Sequence, residues 1–548
     1  MSKIKIFGLG GLNEEGKNMY VVKVDNDIFI FDAGLKYAED ALLGVDYVIP
    51  NFDYIKENIK NVKGIFITHG HEKNMGALCD ILKELPNLKV YVTGFSAHIL
   101  KKDLEESGID FKNIIEIEPH KRITFGKNSV FPVRLTHSLP DNVGYALNTE
   151  DGTIFYTGNY VFDATMVGPY KTDIGKLAYI GKQGVLCLLG ESMYADKVGY
   201  TSPKNRISKL IKDTLSKTED RIIVNVFTAH VSRMEELFKE VAKTTRRVVV
   251  MGHKLQNMVN YVLANKIIDF DKSRIGDLSN IDDKDAVILI SNEREKPFMN
   301  LNRIINGYDK YVKIKENDTV LLMEPVNDYN EKLAIKVIDD ISKKGVNVVT
   351  LSKKDHLLHH ASSEDIMLML DLMNPKYYMP VEGEYRHMIK NADAAYHVGM
   401  PKENILLKQN GDVINIVNGK LQDNHEKVKV DDILIDGNQY QDIGGLVLKD
   451  RELLSDNGIV IICATLDKKT KEVLAKPEVL TRGFIYVKES ADLIEEMKRI
   501  SSEVIEENTI NNYVEYNKIK LGIRERLSSY LYEQTECKPM IITVVQEV

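Results

Sequence analysis

The sequence of 548 residues has no tryptophan and only four cysteines. These cysteines (Cys79, Cys187, Cys463 and Cys537) lie far apart and form no Cys-x-x-Cys pair, which argues against a disulfide framework or a zinc ribbon. No stretch approaches the ~20 apolar residues of a membrane span, and the N-terminus lacks the long apolar segment of a signal peptide. The sequence therefore predicts a cytoplasmic protein with reduced thiols and no membrane partner.

An excess of positive charge is also missing, because 73 Lys and Arg residues face 81 Asp and Glu residues, for a net charge of −8. This balance argues against a generally basic nucleic-acid coat but leaves room for a local basic channel. The hydrophobic fraction of 43% is typical of a soluble globular protein, and the length allows several domains.

Short apolar runs rich in β-branched and aromatic residues open the chain, for example IKIFGLGG, NMYVVKV, DIFIFDAG and NVKGIFITHGH. They predict many strands with few helices, and hence a sheet-on-sheet core with helices outside. Near Thr201 the pattern changes to alternating strands and helices, which predicts βαβ units around a parallel sheet. Around residues 353–396 the first pattern returns, so we interpret the middle region as an inserted α/β domain.

The last part of the chain follows a polar, Asp-rich stretch that we interpret as a linker over residues 426–445. From Leu446 onward the runs GLVLKD, GIVIICATLD, GFIYVKES and PMIITVVQEV predict strands, with two helices before the last of them. A small sheet of such strands leaves apolar faces and edges that are best covered by another chain. We therefore expect residues 446–548 to form a small α/β oligomerisation domain.

Polar residues follow several of the predicted strands. His69 and His71 come directly after one strand, His137 closes another, and Asp32 and Asn159 follow two more. Two histidines at i and i+2 can bind one cation through imidazole nitrogens, although His-x-His alone is equally typical of exposed loop histidines. The other strand ends favour a site, because a sheet scaffold collects functional side chains in this way.

The order of these motifs resembles a metallo-β-lactamase, and the ribonuclease J family in particular. The resemblance covers essentially the whole chain and is carried by GKNMYVV, DAGL, GIFITHGHE, THSLPDNVGYAL, GTIFYTG, PVEGEYR and TRGFIYV. It implies a metallo-β-lactamase αββα sandwich (residues 1–205 and 351–425), an inserted β-CASP α/β domain (206–350) and a small C-terminal α/β domain (446–548). The implied activity is metal-dependent digestion of RNA from a 5′ end, and sometimes internally.

The resemblance also implies a metal motif, H-x-H-x-D-H, which this chain completes only in part. His69, His71 and His137 match ligands of the first metal. The remaining ligand positions carry substitutions: Lys73 for an aspartate, Asn74 for a histidine, Asn159 for the aspartate that bridges both metals, and Glu382 for a histidine. Asp32 and Glu191 match acidic positions around the ligands, with Glu191 in place of an aspartate.

These substitutions decide what the site is expected to bind. Three neutral imidazoles and a water can hold zinc, so we expect at most one zinc, weakly held. The second metal would face Lys73, whose ammonium group repels a cation strongly in a pocket of low dielectric. We expect Lys73 to occupy this position and to pair with Glu382. Because two-metal hydrolysis needs both ions, the catalytic arrangement should be incomplete.

By resemblance, two further segments contact RNA. They are Ala229, His230 and Val231 along the RNA path, and His356, His359, His360, Ala361 and Ser362 around the scissile phosphate. In the second segment Leu358-His359 replaces a Ser-Gly pair of the family. In the stretch Ser291–Pro297 the family's loop glycines are lost, and with them the close backbone approach that glycine permits.

Three functions fit these observations. The first is a weakly active or inactive ribonuclease J subunit of RNA processing and mRNA decay, which binds RNA and assembles as a homo-oligomer or with an active paralogue. The second is an active 5′ exoribonuclease or endoribonuclease that uses a single metal or a rearranged site. The third is an RNA-binding scaffold without a nuclease partner. We favour the first because the substitutions fall on the second metal position, and an intact paralogue in the same genome would support it.

Overall fold

The computed structural model describes residues 2–38, 42–228, 230–291, 298–323, 326, 330–351, 357–423, 425–437, 439–440, 445–484, 490–510 and 513–548. The chain divides into two compact units. The larger comprises Met1–Tyr37 and Tyr47–Ile433, and the smaller comprises Ala38–Asp46 and Leu434–Val548.

The strands of the described residues are, in chain order, β1 (Lys3–Gly10), β2 (Met19–Val24), β3 (Asp27–Phe31), β4 (Lys36–Tyr37), β5 (Tyr47–Pro50), β6 (Val62–Phe66), β7 (Val90–Thr93), β8 (Ile114–Ile117), β9 (Ile123–Phe125), β10 (Asn128–Arg134), β11 (Val143–Thr149), β12 (Gly152–Tyr156), β13 (Val185–Glu191), β14 (Ile222–Val226), β15 (Arg247–Val250), β16 (Ile275–Gly276), β17 (Ala286–Ser291), β18 (Thr319–Leu322), β19 (Asn347–Thr350), β20 (Tyr377–Val381), β21 (Ile414–Val417), β22 (Lys420–Gln422), β23 (Asp432–Asp436), β24 (Gln439–Tyr440), β25 (Ile459–Leu466), β26 (Glu478–Arg482), β27 (Thr509–Ile510), β28 (Tyr513–Val514) and β29 (Met540–Glu547).

The α-helices are α1 (Asp53–Glu57), α2 (Glu72–Met75), α3 (Leu78–Glu84), α4 (Gly94–Glu106), α5 (Ile174–Gln183), α6 (Ser208–Lys217), α7 (Val231–Ala242), α8 (His253–Ala264), α9 (Met299–Ile305), α10 (Glu331–Ser342), α11 (Ser363–Met373), α12 (Tyr385–His397), α13 (Gly445–Asn457), α14 (Ala491–Glu507) and α15 (Tyr516–Thr535). None of the described helices is both long and apolar enough to cross a bilayer.

Two mixed sheets form the sandwich of the larger unit. The first has the strand order β22-β21-β1-β2-β3-β6-β7-β8 and the second β20-β13-β12-β11-β10-β9. Their facing residues share one buried cluster, in which Phe31 packs against Tyr145 and Tyr156, and Phe66 stacks on Tyr91. Helices α5 and α11 cover the outer face of the second sheet, and α4 packs on β7 and β8 of the first. The αββα prediction is therefore confirmed.

The middle of the chain forms a separate sheet of parallel strands in the order β16-β15-β17-β14-β18-β19. Helices α6, α7 and α8 contribute to the buried cluster on one face, and α9 and α10 to that on the other. The chain then returns to the sandwich, because β20 pairs with β13 and β21 with β1. The insertion predicted from the strand–helix alternation is thus present, while the exact domain boundaries stay a prediction.

The smaller unit contains a three-stranded sheet in the order β26-β25-β29. Alternate residues of β25 point into a cluster formed with α14 and α15. The expected strand at GLVLKD is wrong, since these residues begin helix α13. Their apolar run is too short for its periodicity to distinguish a strand from a helix. The helix-forming residues that follow in KDRELL favour the helix. The expected strand at GFIYVKES lies mostly outside the described residues.

Candidate metal centre

The polar residues at the strand ends of the sandwich converge at one edge of the two sheets. Asp32 follows β3, His69 and His71 follow β6, and Asn159 and Glu382 follow β12 and β20. Asp32 and Glu382 have positive φ angles of 61° and 53°, so the chain turns sharply where these strands end. Left-handed backbone at non-glycine residues is uncommon and is concentrated at functional sites.

Backbone hydrogen bonds and a close glycine contact hold the segment around Lys73. Asn18 N and Ala33 N donate hydrogen bonds to the carbonyl oxygens of Lys73 and Asn74, at 3.1 and 2.7 Å. A Cβ atom at Gly34 would overlap the carbonyl oxygen of Lys73, so only glycine allows this approach. The scaffold of the site is therefore intact, and the substitutions act through their side chains.

Three imidazoles face one another at the centre of the site. His71 Nδ1 lies 3.1 Å from His69 Nε2 and 3.3 Å from His137 Nε2. Ligand nitrogens around a tetrahedral zinc ion, each at about 2.0–2.1 Å, lie roughly 3.3 Å apart. His69 and His137 are fully buried, whereas His71 is partly exposed. The spacing of the three nitrogens therefore suits a single cation.

The outer nitrogens of these imidazoles are held by protein oxygens. His137 Nδ1 donates to the carbonyl oxygen of His359 at 2.7 Å, which leaves its inner Nε2 with a free lone pair. Thr68 Oγ1 donates to Asp32 and so accepts from His69 Nδ1 at 2.9 Å, with the same result. Ser138 Oγ lies 3.2 Å from His71 Nε2 and can accept from it. Such partners orient metal-binding histidines.

The protonation of the cluster also suits a metal. Burial, together with the neighbouring His71, holds the pKa values of His69 and His137 well below the usual range. Both imidazoles are therefore neutral near pH 7, which is the form that binds a metal. The donor atoms and the tautomers of the three histidines therefore suit one metal ion.

The position of the bridging aspartate is different. The amide nitrogen of Asn159 donates to Glu191 Oε2 at 2.8 Å and to Glu382 Oε2 at 2.5 Å. Two carboxylates demand a donor, so this orientation of the amide follows from its partners. All three side chains are buried, and burial and then the charge of Glu191 raise the pKa of Glu382. Asn159 thus presents N–H groups to the oxygens that would otherwise help to bind a second ion.

The side chains of Lys73 and Asn74, at two further positions of the second metal, also bind protein partners. Lys73 forms an ion pair with Glu15, which corrects the expectation that it pairs with Glu382. Its charge still lowers the pKa of Glu382. Asn74 Nδ2 donates to Asp32 Oδ2 at 2.8 Å. Glu382 Oε1, which is buried without a hydrogen-bond partner among the described residues, is one acceptor, too little for a second ion.

Asp32 is the anchor of the histidine loop. It accepts hydrogen bonds from Thr68 N at 2.8 Å, from Tyr156 Oη at 2.8 Å and from Asn74. Burial raises the pKa of Asp32 to about 7, although these hydrogen bonds act in the opposite direction. Asp32 thus holds Thr68, the residue before His69, and its role beside the metal ligands stays a prediction.

Glu191 has a larger role in the structure than the sequence indicated. Besides Asn159 it contacts Tyr160 N at 2.7 Å, His360 Nδ1 at 2.7 Å and Ala361 N at 3.1 Å. It therefore joins the Asn159 loop to the His360 segment. No sequence pattern marks this, because the partners come from separate strands and loops.

Besides His360 and Ala361, which contact Glu191, the residues assigned to RNA binding fall into three groups. His230 and His359 are buried and contact each other, with His230 Nε2 at 3.1 Å from His359 Nδ1. Val231 is buried in the core of the parallel-sheet region, and Ser362 caps α11 in a reciprocal arrangement with Asp365. Ala229 and His356 lie outside the described residues. The assigned roles of these residues stay predictions.

Comparison with known proteins places these features in context. Residues 12–171 match the metallo-beta-lactamase superfamily, 219–341 the beta-CASP domain of ribonuclease J, and 446–548 the ribonuclease J C-terminal domain. The chain is 36% identical to "Ribonuclease J2" of Bacillus subtilis, covering 100% of this chain and 99% of that protein. It is 35% identical to "Ribonuclease J 2" of Staphylococcus aureus (strain MRSA252), covering 100% and 98%.

A solved structure, a protein of unknown function from Enterococcus faecalis V583, has a TM-score of 0.52 at 15% identity and covers 76% of this chain and 100% of its own. At this identity the likeness concerns the fold alone.

Proposed function

Since this chain belongs to the ribonuclease J family, we propose that it is an RNA-processing protein with a weak or absent hydrolytic activity of its own. We further propose that it binds RNA and acts in assembly with an active family member. The observation that carries the proposal is the Asn159 amide, which donates to both Glu191 and Glu382 where an aspartate would bridge two metals.

The chemical argument concerns the second ion. In two-metal phosphodiester hydrolysis one ion activates the attacking water and both stabilise the attacking and leaving oxygens. The first metal position offers three imidazoles, which can hold one zinc ion weakly. The second position offers only an amide, an ammonium group and one glutamate. Each lost stabilisation of this kind corresponds to several kcal/mol of barrier, so the loss in rate should reach orders of magnitude.

Cleavage of 5′-monophosphorylated RNA by the purified chain tests this proposal. We expect the wild type to cleave as slowly as His137→Ala, a matched variant that disables the remaining metal position. The quadruple variant that combines Lys73→Asp, Asn74→His, Asn159→Asp and Glu382→His should cleave RNA faster than the wild type. Each of these substitutions made singly should change the cleavage rate little. Zinc per chain is measured on the same samples by elemental analysis without chelator, and two ions per wild-type chain would contradict the proposal.

The alternative is an active nuclease with one metal, and the three converging imidazoles favour it. The same experiment separates the two. Cleavage by the wild type that is abolished both by chelator and by His137→Ala would establish the alternative.

Assembly is supported by the sheet of the smaller unit. Its outer face carries Ile461 of β25, flanked in register by Leu480 of β26 and Ile542 of β29. Leu480 and Ile542 are 49% and 41% exposed, and Val544 beside them is 44% exposed. The occupant we propose is the same face of a second ribonuclease J chain, because such a face is self-complementary about a two-fold axis.

Light scattering tests the assembly. Deleting the residues after Gly445, or introducing Ile542→Lys, should lower the mass of the particle, whereas Leu521→Lys on the exposed side of helix α15 should not. An unchanged mass for both changes would contradict the proposed interface. If the unaltered chain is monomeric, mixing it with an active paralogue tests the hetero-oligomer. We also propose a cytoplasmic location, which the four free cysteines support.

A further inference from the structure

The start of helix α7 contacts two of the three loops that hold the outer nitrogens of the metal-site histidines. Ser232 N donates to the carbonyl oxygen of Ser138 at 2.9 Å. His230, directly before the helix, has Nε2 at 3.1 Å from His359 Nδ1. Both contacts are buried, since each of these residues is at most 3% exposed. The parallel-sheet region is thus tied to the sandwich at two points beside the site.

Each of these two loops orients one imidazole of the cluster. Ser138 Oγ lies 3.2 Å from His71 Nε2, and the carbonyl oxygen of His359 accepts from His137 Nδ1 at 2.7 Å. His69, in contrast, is held by Thr68 within the sandwich itself. Two of the three imidazoles are therefore oriented by loops that helix α7 contacts, and one is not.

A third residue of the same turn strengthens this connection. The buried Arg233 donates from Nη2 to the carbonyl oxygen of Leu357 at 3.1 Å and from Nη1 to that of Met323 at 3.3 Å. Leu357 belongs to the same loop as His359. The His359 imidazole itself stands where the family pattern has glycine, which could not reach His230.

We propose that His230 is a positioning residue for the three-histidine metal site, so that metal binding and the docking of helix α7 on the sandwich are thermodynamically coupled. The inference rests on the single metal ion of the proposed function. If α7 raises the affinity of the site for zinc by some factor, zinc must raise the stability of the docked α7 by the same factor. Loss of a group that orients a ligand typically weakens metal binding 10–100-fold.

Zinc affinity, measured by competition with a chromophoric chelator, is the first test. His230→Ala should weaken zinc binding by about 3–10-fold, less than the 10–100-fold typical of losing a group bonded directly to a ligand, and His359→Ala, which keeps the carbonyl that His137 uses, should weaken it similarly. His230→Gln should restore most of the affinity, because its terminal amide can donate or accept at the same reach. His253→Ala is the matched control, an exposed histidine at the start of α8 in the same region, and should bind zinc as the wild type does.

Hydrogen exchange of peptides covering Val231–Ala242, with and without zinc, is the second test. Zinc should slow exchange there in the wild type and in His253→Ala, and not in His230→Ala or His359→Ala. A merely structural role would change exchange in the metal-free protein but leave no zinc-dependent difference between variants.

Several outcomes would overturn the inference. They are zinc affinity of both alanine variants within about twofold of the wild type, failure of His230→Gln to rescue, equal protection of α7 by zinc in all variants, and no zinc binding by the wild type. The first three leave the proposed lack of hydrolysis untouched, because no RNA is involved. Active RNA cleavage by the wild type would contradict the proposed function while leaving the coupling in place.

Discussion

Replacing Asn159 by aspartate isolates the feature that separates this site from a two-metal centre. The change restores the residue expected of the family, yet in the absence of metal it brings a third carboxyl group against Glu191 and Glu382. The present donor–acceptor distances are 2.8 and 2.5 Å. At such distances and an effective dielectric of about 20, each pair of carboxylates repels by about 6 kcal/mol.

Uptake of a proton limits this penalty. Keeping one extra carboxyl protonated costs about 1.4 kcal/mol for every pH unit above its ordinary pKa near 4, hence about 5–6 kcal/mol at pH 8 and about 3 kcal/mol at pH 6. The folded variant then binds one proton more than its unfolded chain, so its stability relative to the wild type falls as pH rises. We expect Asn159→Asp to lower the free energy of unfolding by this amount, with a slope of about 1.4 kcal/mol per pH unit.

Urea unfolding in chelator at pH 6, 7 and 8 measures the effect. The double variant Asn159→Asp with Glu382→Gln keeps the number of carboxyl groups and the hydrogen bond between positions 159 and 382, but it leaves the new carboxyl beside Glu191. It removes one of the two repelling pairs, so it should recover part of the stability that the single variant loses. A single variant within about 1 kcal/mol of the wild type at pH 8, or a loss independent of pH, would refute the reasoning.

Two further changes have defined outcomes. Lys73→Asp alone should lower the melting temperature in chelator more than Lys73→Met, because it adds an anion beside Glu15. Zinc at 100 times its Kd should stabilise the wild type by about 2.7 kcal/mol in calorimetry, and His137→Ala should abolish this.

The sequence was sufficient for the parts of the site that depend on strand ends. His69, His71 and His137 each follow an apolar strand, and the two packed sheets bring the ends of these strands together at one edge. The sheet-on-sheet core and the inserted α/β region followed from the same periodicity and from the change of pattern near Thr201, and the αββα class followed from the family resemblance. These features are local in the chain, so they can be recognised without knowing which distant residues meet.

Contacts between loops could not be predicted in this way. Glu15 and Lys73 are separated by 58 positions, and His230 and His359 by 129. Nothing in either local sequence specifies the partner. The resemblance puts Glu382 at another ligand position of the same metal, which made it the expected partner, whereas Lys73 pairs with Glu15. The orientation of the Asn159 amide likewise depends on two carboxylates that arrive on other strands.

Taken together, the substituted positions satisfy one another rather than leaving a damaged metal site. Lys73 pairs with Glu15, Asn74 donates to Asp32, and Asn159 donates to Glu191 and Glu382. Reverting Lys73, Asn74 or Asn159 singly therefore removes a donor or cation from an acidic partner before any metal can compensate, and is destabilising. The three imidazoles lie outside this set of pairs, because their outer nitrogens use Thr68, Ser138 and the His359 carbonyl. Affinity for one ion can thus persist while the second position is occupied by the protein's own charges, and regaining a two-metal centre requires several changes at once.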